Sequence, residues 1–221
     1  MNDALPPSRS RRWSPVVAAL VLLNAVPELV LQAADAGWIG SPNWRLWALS
    51  YGALWRGLLF DWRPNFALQP LTMFVTYGFL HAGIGHLAGN ILGLLVLAPE
   101  TLRRTGSRGL AAVCAAALLA GAFGFVLLSA SPRPMIGASG AVYGLAAAWI
   151  HWDWRDRRRG TRPTLPVLIW VLGLALTNAV SWWALAGQLA WQTHAGGAVG
   201  GWLCAWWLDP DRAQSPRNTR S

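Results

Sequence analysis

Charge is the first thing this sequence lacks. Only 12% of its 221 residues are charged, about half of the ~25% usual for a soluble domain. Lysine is absent, so all eighteen basic residues are arginine, against nine acids. Two cysteines, Cys114 and Cys204, stand alone inside apolar runs. That arrangement excludes a disulfide framework or a thiolate metal site and reads as small apolar packing. No long-period repeat and no low-complexity block occurs, and no inverted repeat of the kind that builds many transporters.

What is present is apolar. Hydrophobic residues make up 54% of the chain and the mean hydropathy is +0.34. Several runs approach the ~20 residues that cross a bilayer. The expectation is an all-α polytopic membrane protein with six spans: about 15–34, 83–99, 110–128, 139–152, 165–184 and 191–208. Residues 1–14 read as a basic N-terminal segment, 15–208 as one membrane domain, and 209–221 as a polar tail. The first apolar run is long and has no small-residue cleavage pattern, so it reads as a retained span. Between the first two spans lies a tryptophan-rich external stretch, about 35–70. In it Trp44, Trp47, Tyr51, Leu54 and Leu58 fall on one helical stripe, as in a helix lying in the membrane interface.

The net charge of +9 points to no nucleic acid, because the arginines sit in short turns between apolar runs. With six spans, fourteen fall on one side and four on the other. By the positive-inside rule both termini are cytoplasmic. A seventh span at 43–60 would flip every later loop and leave eleven of those arginines outside.

Polar groups at membrane depth are costly and mark a protein interior or a water-filled cavity. His86, Ser139 and His194 lie near the starts of the second, fourth and sixth spans. All three therefore sit at similar depth below the outer surface. Taken singly, a membrane serine bonds its own helix, and a histidine or asparagine serves as interhelical glue. Jointly they point elsewhere. His86 and Asn90 are i and i+4, on one helix face. Gly137 and Gly140 flank Ser139 in GASG, and Tyr143 is one turn further on the same face. Gly140 and Gly144 form a small-xxx-small pair, as do Gly197 and Gly201 after His194. Such pairs let two membrane helices approach backbone to backbone, bringing the imidazole to the serine.

The chemistry expected is nucleophilic. Ser139 attacks a carbonyl, His194 acts as base and then acid, and His86, Asn90 and the Ser139 amide stabilise the oxyanion. No acid is placed to support His194, so the expectation is a dyad, with Tyr143 orienting the imidazole. A metal or haem site built on His81, His86 and His194 is disfavoured, since the first pair is i,i+5 and no carboxylate is near. Neither metal nor cofactor is expected.

These residues resemble the rhomboid family of intramembrane serine proteases. The likeness covers roughly 15–208. It rests on H-x4-H-x3-N at His81, His86 and Asn90, on G-x-S-G with Tyr143 four residues after the serine, and on T-H-x2-G-x3-G from Thr193 to Gly201. The resemblance implies a helical bundle whose cavity opens to the outer side. It implies cleavage of transmembrane protein substrates near their outer boundary. The compact six-span core, with no nuclear or organellar signal in the sequence, points to a bacterial inner membrane. Substrate passes sideways near the second and fifth spans, the loop 187–192 caps the site, and His81 supports the oxyanion side. The alternative is an inactive rhomboid-like protein that binds membrane clients, although such proteins usually lose the serine or the histidine. Thr72 and Met73 stand where many members carry a Trp–Arg pair, which leaves the anchoring of the external loop open. Substrate identity and oligomeric state are not assigned.

Overall fold

The structure, a computed structural model, describes residues 14–209. The basic segment before Ser14 and the tail after Asp209 lie outside the described residues. The described chain is helical: α1 Pro15–Asp35, α2 Trp44–Gly52, α3 Gln69–Thr76, α4 Ile84–Leu128, α5 Ser139–Arg159, α6 Leu165–Ala184 and α7 Trp191–Trp207. A proline stands in the first turn of α1, α3 and α6, where its missing N–H has no helical partner to lose.

α4 is two helices joined at Gly106, whose φ of 68° and ψ of −177° break the ladder. Its ends return to one place. Tyr77, shortly before α4 begins, packs with Ala122, Phe125 and Val126 near its far end. The Tyr77 hydroxyl also donates to the Leu118 carbonyl at 2.7 Å. A second apolar cluster occupies the opposite end of the bundle, where Leu94, Leu110, Val113, Leu145, Trp152 and Ala205 meet Val17 of α1.

Three helices, α1, α4 and α6, are long and apolar enough to cross a membrane. α5 and α7 fall short of that measure for a physical reason. They pack in the interior of the bundle and carry several glycines and polar residues of their own. α5 also ends in three arginines, and α7 has only 17 residues, about 25 Å of helix. α6 is the opposite case. Only Val167 of its twenty residues is buried, which suits a helix that faces lipid.

The interior contact is built on glycine. A Cβ on Gly197 would meet the Gly140 carbonyl, and one on Gly201 the Gly144 carbonyl. Gly196 and Gly200 do the same against Ala120 and Ala116 of α4. The run HAGGAVGG thus carries two small-residue faces one residue apart, one for α5 and one for α4.

The external stretch differs from expectation. The stripe from Trp44 to Leu58 is not one helix. α2 stops at Gly52 and Ala53 is extended at ψ 157°. Leu54 instead pairs with Met135 as an isolated β-bridge, with both side chains buried. Trp47 and Tyr51 stay exposed. Burial of Leu54 against a distant segment outweighs continuation of a short helix, because helical propensity is a weak prior beside tertiary packing.

The loop's anchor is Arg45. Its Nη1 and Nη2 donate to the two Glu28 carboxylate oxygens at 2.9 and 3.0 Å, its Nε to Asp35 Oδ2 at 2.6 Å, and Nη1 also to the His81 carbonyl at 3.0 Å. Glu28 is fully buried in α1, and Gln32 adds a bond to it at 2.8 Å. The hydrogen bond to Glu28 raises the Arg45 pKa above its ordinary value. Gln69 binds the Ser50 carbonyl at 2.6 Å and Thr76 the Gly52 carbonyl at 2.6 Å. At the Thr72–Met73 position, Met73 is a fully buried member of the Leu54 cluster. The loop is held by this network.

Candidate active site

Gly137 sets the start of α5. Its φ of +115° is a conformation that favours glycine. A Cβ there would lie 2.6 Å from His86 Cε1 and 2.7 Å from His86 Nε2, so the imidazole of His86 occupies the space a side chain would need. The Gly137 N–H donates to the Tyr77 carbonyl at 2.9 Å. Ala138 follows as N-cap, and Ser139 is the first residue of the helix. The ladder opens with the Val142 N–H donating to the Ala138 carbonyl. The amides of Ser139, Gly140 and Ala141 precede it, at the positive end of the helix dipole.

His194 enters from the first turn of α7 and is 6% exposed. Its Nε2 lies 2.8 Å from Ser139 Oγ. The Tyr143 ring stacks on the imidazole with centroids 4.1 Å apart and planes within 8°. The glycine contacts between α5 and α7 set this distance. Gly140 faces Thr193 beside the histidine, and Gly197 and Gly201 continue the approach down the helix.

The Nδ1 edge of the imidazole meets a residue absent from the expected site. Asn178 of α6 places Oδ1 2.7 Å from His194 Nδ1. An amide oxygen accepts only, so Nδ1 carries the proton. Nε2 is then the acceptor for the serine hydroxyl. A search among acids could not find an amide. The available signal was a lone asparagine inside an otherwise apolar span.

His86 and Asn90 occupy the first half of α4 on one face. Asn90 Nδ2 donates to the His86 carbonyl at 3.1 Å and lies 3.6 Å from the position of a Cβ on Gly137. His86 Nδ1 accepts from the Ala82 N–H at 3.4 Å. The His81 ring meets His86 edge to face at 5.1 Å. His81 is buried, and its carbonyl is the Arg45 acceptor. The structure thus brings every expected site residue to one end of α5. His194 contacts both Ser139 and Tyr143, His86 and Asn90 lie beside Gly137, and His81 packs on His86.

A serine within hydrogen-bond distance of a buried histidine, in a helical bundle that presents an apolar exterior, fits an integral membrane protein. A model of the Rhomboid domain matches residues 68–210, which include all of these residues. The chain belongs to the rhomboid family. It is 32% identical over 128 residues to the rhomboid protease GluP of Bacillus subtilis (strain 168), a stretch covering 57% of this chain and 24% of that relative. The chain thus matches less than a third of that relative's length.

Proposed function

We propose that the chain is an intramembrane serine endopeptidase. It cleaves transmembrane proteins near their outer membrane boundary from a six-span bundle in a bacterial inner membrane, with both termini cytoplasmic. The observation that carries this reading is the 2.8 Å approach of Ser139 Oγ to His194 Nε2, with the Nε2 lone pair facing the hydroxyl. Family membership and the resemblance to a rhomboid protease support it.

In the proposed reaction, the Ser139 hydroxyl proton passes to His194 Nε2 as Oγ bonds to the scissile carbonyl carbon. The carbonyl oxygen becomes an oxyanion. Its donors are the Ser139 amide at the helix start and the side chains of His86 and Asn90. His194 then returns the proton to the amine as the C–N bond breaks, leaving an acyl ester on Ser139. Water hydrolyses the ester with His194 again as base. Throughout, Nδ1–H stays on Asn178 Oδ1, and Tyr143 holds the ring plane. The imidazolium formed in each half-reaction is stabilised by an amide dipole rather than by a carboxylate. Substrate reaches the serine laterally, between the first half of α4 and the exposed helix α6, with the loop 187–192 as a cap over the site.

The test is covalent labelling by a fluorophosphonate probe in detergent, with wild type beside Ser139→Ala and His194→Ala. Labelling of wild type alone is expected. A folded wild type that takes no label would favour a client-binding protein over a protease.

A further inference from the structure

The arginine-rich end of α5 and α7 encloses a cavity of about 560 Å³ that the catalytic site does not use. Arg155, Arg158 and Arg159 line it at i, i+3 and i+4 of α5. Arg155 and Arg159 reach Asp209 at 3.0 and 3.4 Å, and Arg158 lies over the Trp154 ring at 5.7 Å. Arg158, over Trp154, adds a guanidinium to the wall beside the two that reach Asp209. His151 also lines the cavity. It is 1% exposed, and among the described residues neither of its ring nitrogens has a hydrogen-bond partner. Among the described residues, the nearest carboxylate oxygen, on Asp209, is 4.0 Å from Nε2, beyond hydrogen-bond reach. A buried imidazole N–H without an acceptor, next to a cluster of arginines, is what an anionic oxygen ligand would satisfy.

A second cavity, of about 440 Å³, adjoins the first. It lies between α5, α6 and α7 and is walled by Ala147, Ile150, Val171, Ala175 and Val199. Trp202 lines both cavities. The apolar crevice runs from Tyr143, at the level of His194, to Ile150, about 10 Å along the helix. The basic cavity then continues from His151 towards Arg159. An apolar slot that opens at its lower end into an arginine-lined, tryptophan-walled chamber has the polarity of a phospholipid. Basic pockets between transmembrane helices recognise anionic headgroups, and tryptophan sits at headgroup depth.

We infer that α5, α6 and α7 hold one anionic phospholipid, its phosphate against Arg155, Arg158 and His151 and one acyl chain in the crevice below His194. The phosphate end lies away from the reacting atoms, whereas the crevice reaches Tyr143, Asn178 and His194 at its upper end, and the chain would lie against α6, which the rest of the protein buries so little.

The test uses the purified full chain in detergent, stripped of lipid, then mixed with phosphatidylglycerol or phosphatidylcholine and read by native mass spectrometry. One phosphatidylglycerol retained per chain in preference to phosphatidylcholine is expected, and excess inorganic phosphate should not displace it. Arg158→Gln should weaken retention about five-fold, the effect of one basic side chain near an anionic headgroup. Ala175→Trp should fill the crevice and weaken retention about ten-fold or more through lost chain burial. Both positions are exposed, so each variant should keep the wild-type melting temperature. Equal retention of phosphatidylcholine overturns the inference, because the headgroup charge is then not read. Displacement by inorganic phosphate, with no effect of Ala175→Trp, also overturns it and leaves a free-phosphate site.

Discussion

Asn178 Oδ1 accepts from His194 Nδ1 at 2.7 Å, and that bond spans two helices that otherwise touch little. It fixes the imidazole tautomer that a serine nucleophile needs. A neutral partner fixes the tautomer without adding a negative charge to stabilise the imidazolium, so it contributes less than a buried carboxylate would. Asn178→Ala should therefore lower kcat/KM about 10-fold, near 1.4 kcal/mol of barrier, and slow fluorophosphonate labelling by a similar factor. KM should change little. A variant with unchanged labelling rate would show that Tyr143 and packing alone hold the ring.

How much of this was legible in the sequence depends on where the information sits. Ser139 with Tyr143, and His86 with Asn90, each lie within one helix, where period fixes the shared face; His194, on α7, was reached through its depth and the glycines that follow it. Asn178 was not. α6 is apolar on nearly every side, so its sequence does not say which face turns inward. The premature end of α2 was hidden too, because the bridge between Leu54 and Met135 joins segments far apart in sequence. Likewise the stretch GGAVGG shows its glycines but not that two partners share them.

The glycine contacts make a prediction about stability. At Gly201 a Cβ would run into the Gly144 backbone, which cannot rotate away. Gly201→Leu should cost at least the ~1–3 kcal/mol typical of overpacking and lower the melting temperature in detergent. Gly89→Ala is the control. It is on the exposed side of α4, where a Cβ meets nothing within 4 Å, and it should be neutral or slightly stabilising. Similar losses at both positions would mean that glycine matters for helix flexibility rather than for close approach.

Arg45 replaces the loop anchor that the Thr72–Met73 positions lack. Its partner Glu28 has 0% side-chain exposure while Arg45 keeps 20%. Removing the cation strands a buried carboxylate, which costs about 3 kcal/mol or somewhat more; the remaining Gln32 bond keeps it towards that lower value. Arg45→Gln should thus destabilise the protein and free the α2 loop for proteolysis. Arg45→Met combined with Glu28→Leu should recover much of the loss, because an apolar pair avoids the desolvation of two charges. Should the double variant be no more stable than Arg45→Gln, the bonds to Asp35 and the His81 carbonyl would be the real anchor.

Asn90 separates the proposed oxyanion role from a packing role. One of its two amide hydrogens is committed to the His86 carbonyl, which leaves the other for substrate. Loss of one oxyanion donor costs at most ~3–4 kcal/mol of transition-state stabilisation, and here the Ser139 amide and His86 remain. Asn90→Ala should reduce kcat by up to about 100-fold while KM and the melting temperature hold. It should still take the fluorophosphonate probe, because the serine and its base are intact. Ser139→Ala should lose both cleavage and labelling. If Asn90→Ala abolished labelling in a folded protein, Asn90 would be required to place the nucleophile, and the division between donors on α4 and the reacting pair on α5 and α7 would be wrong.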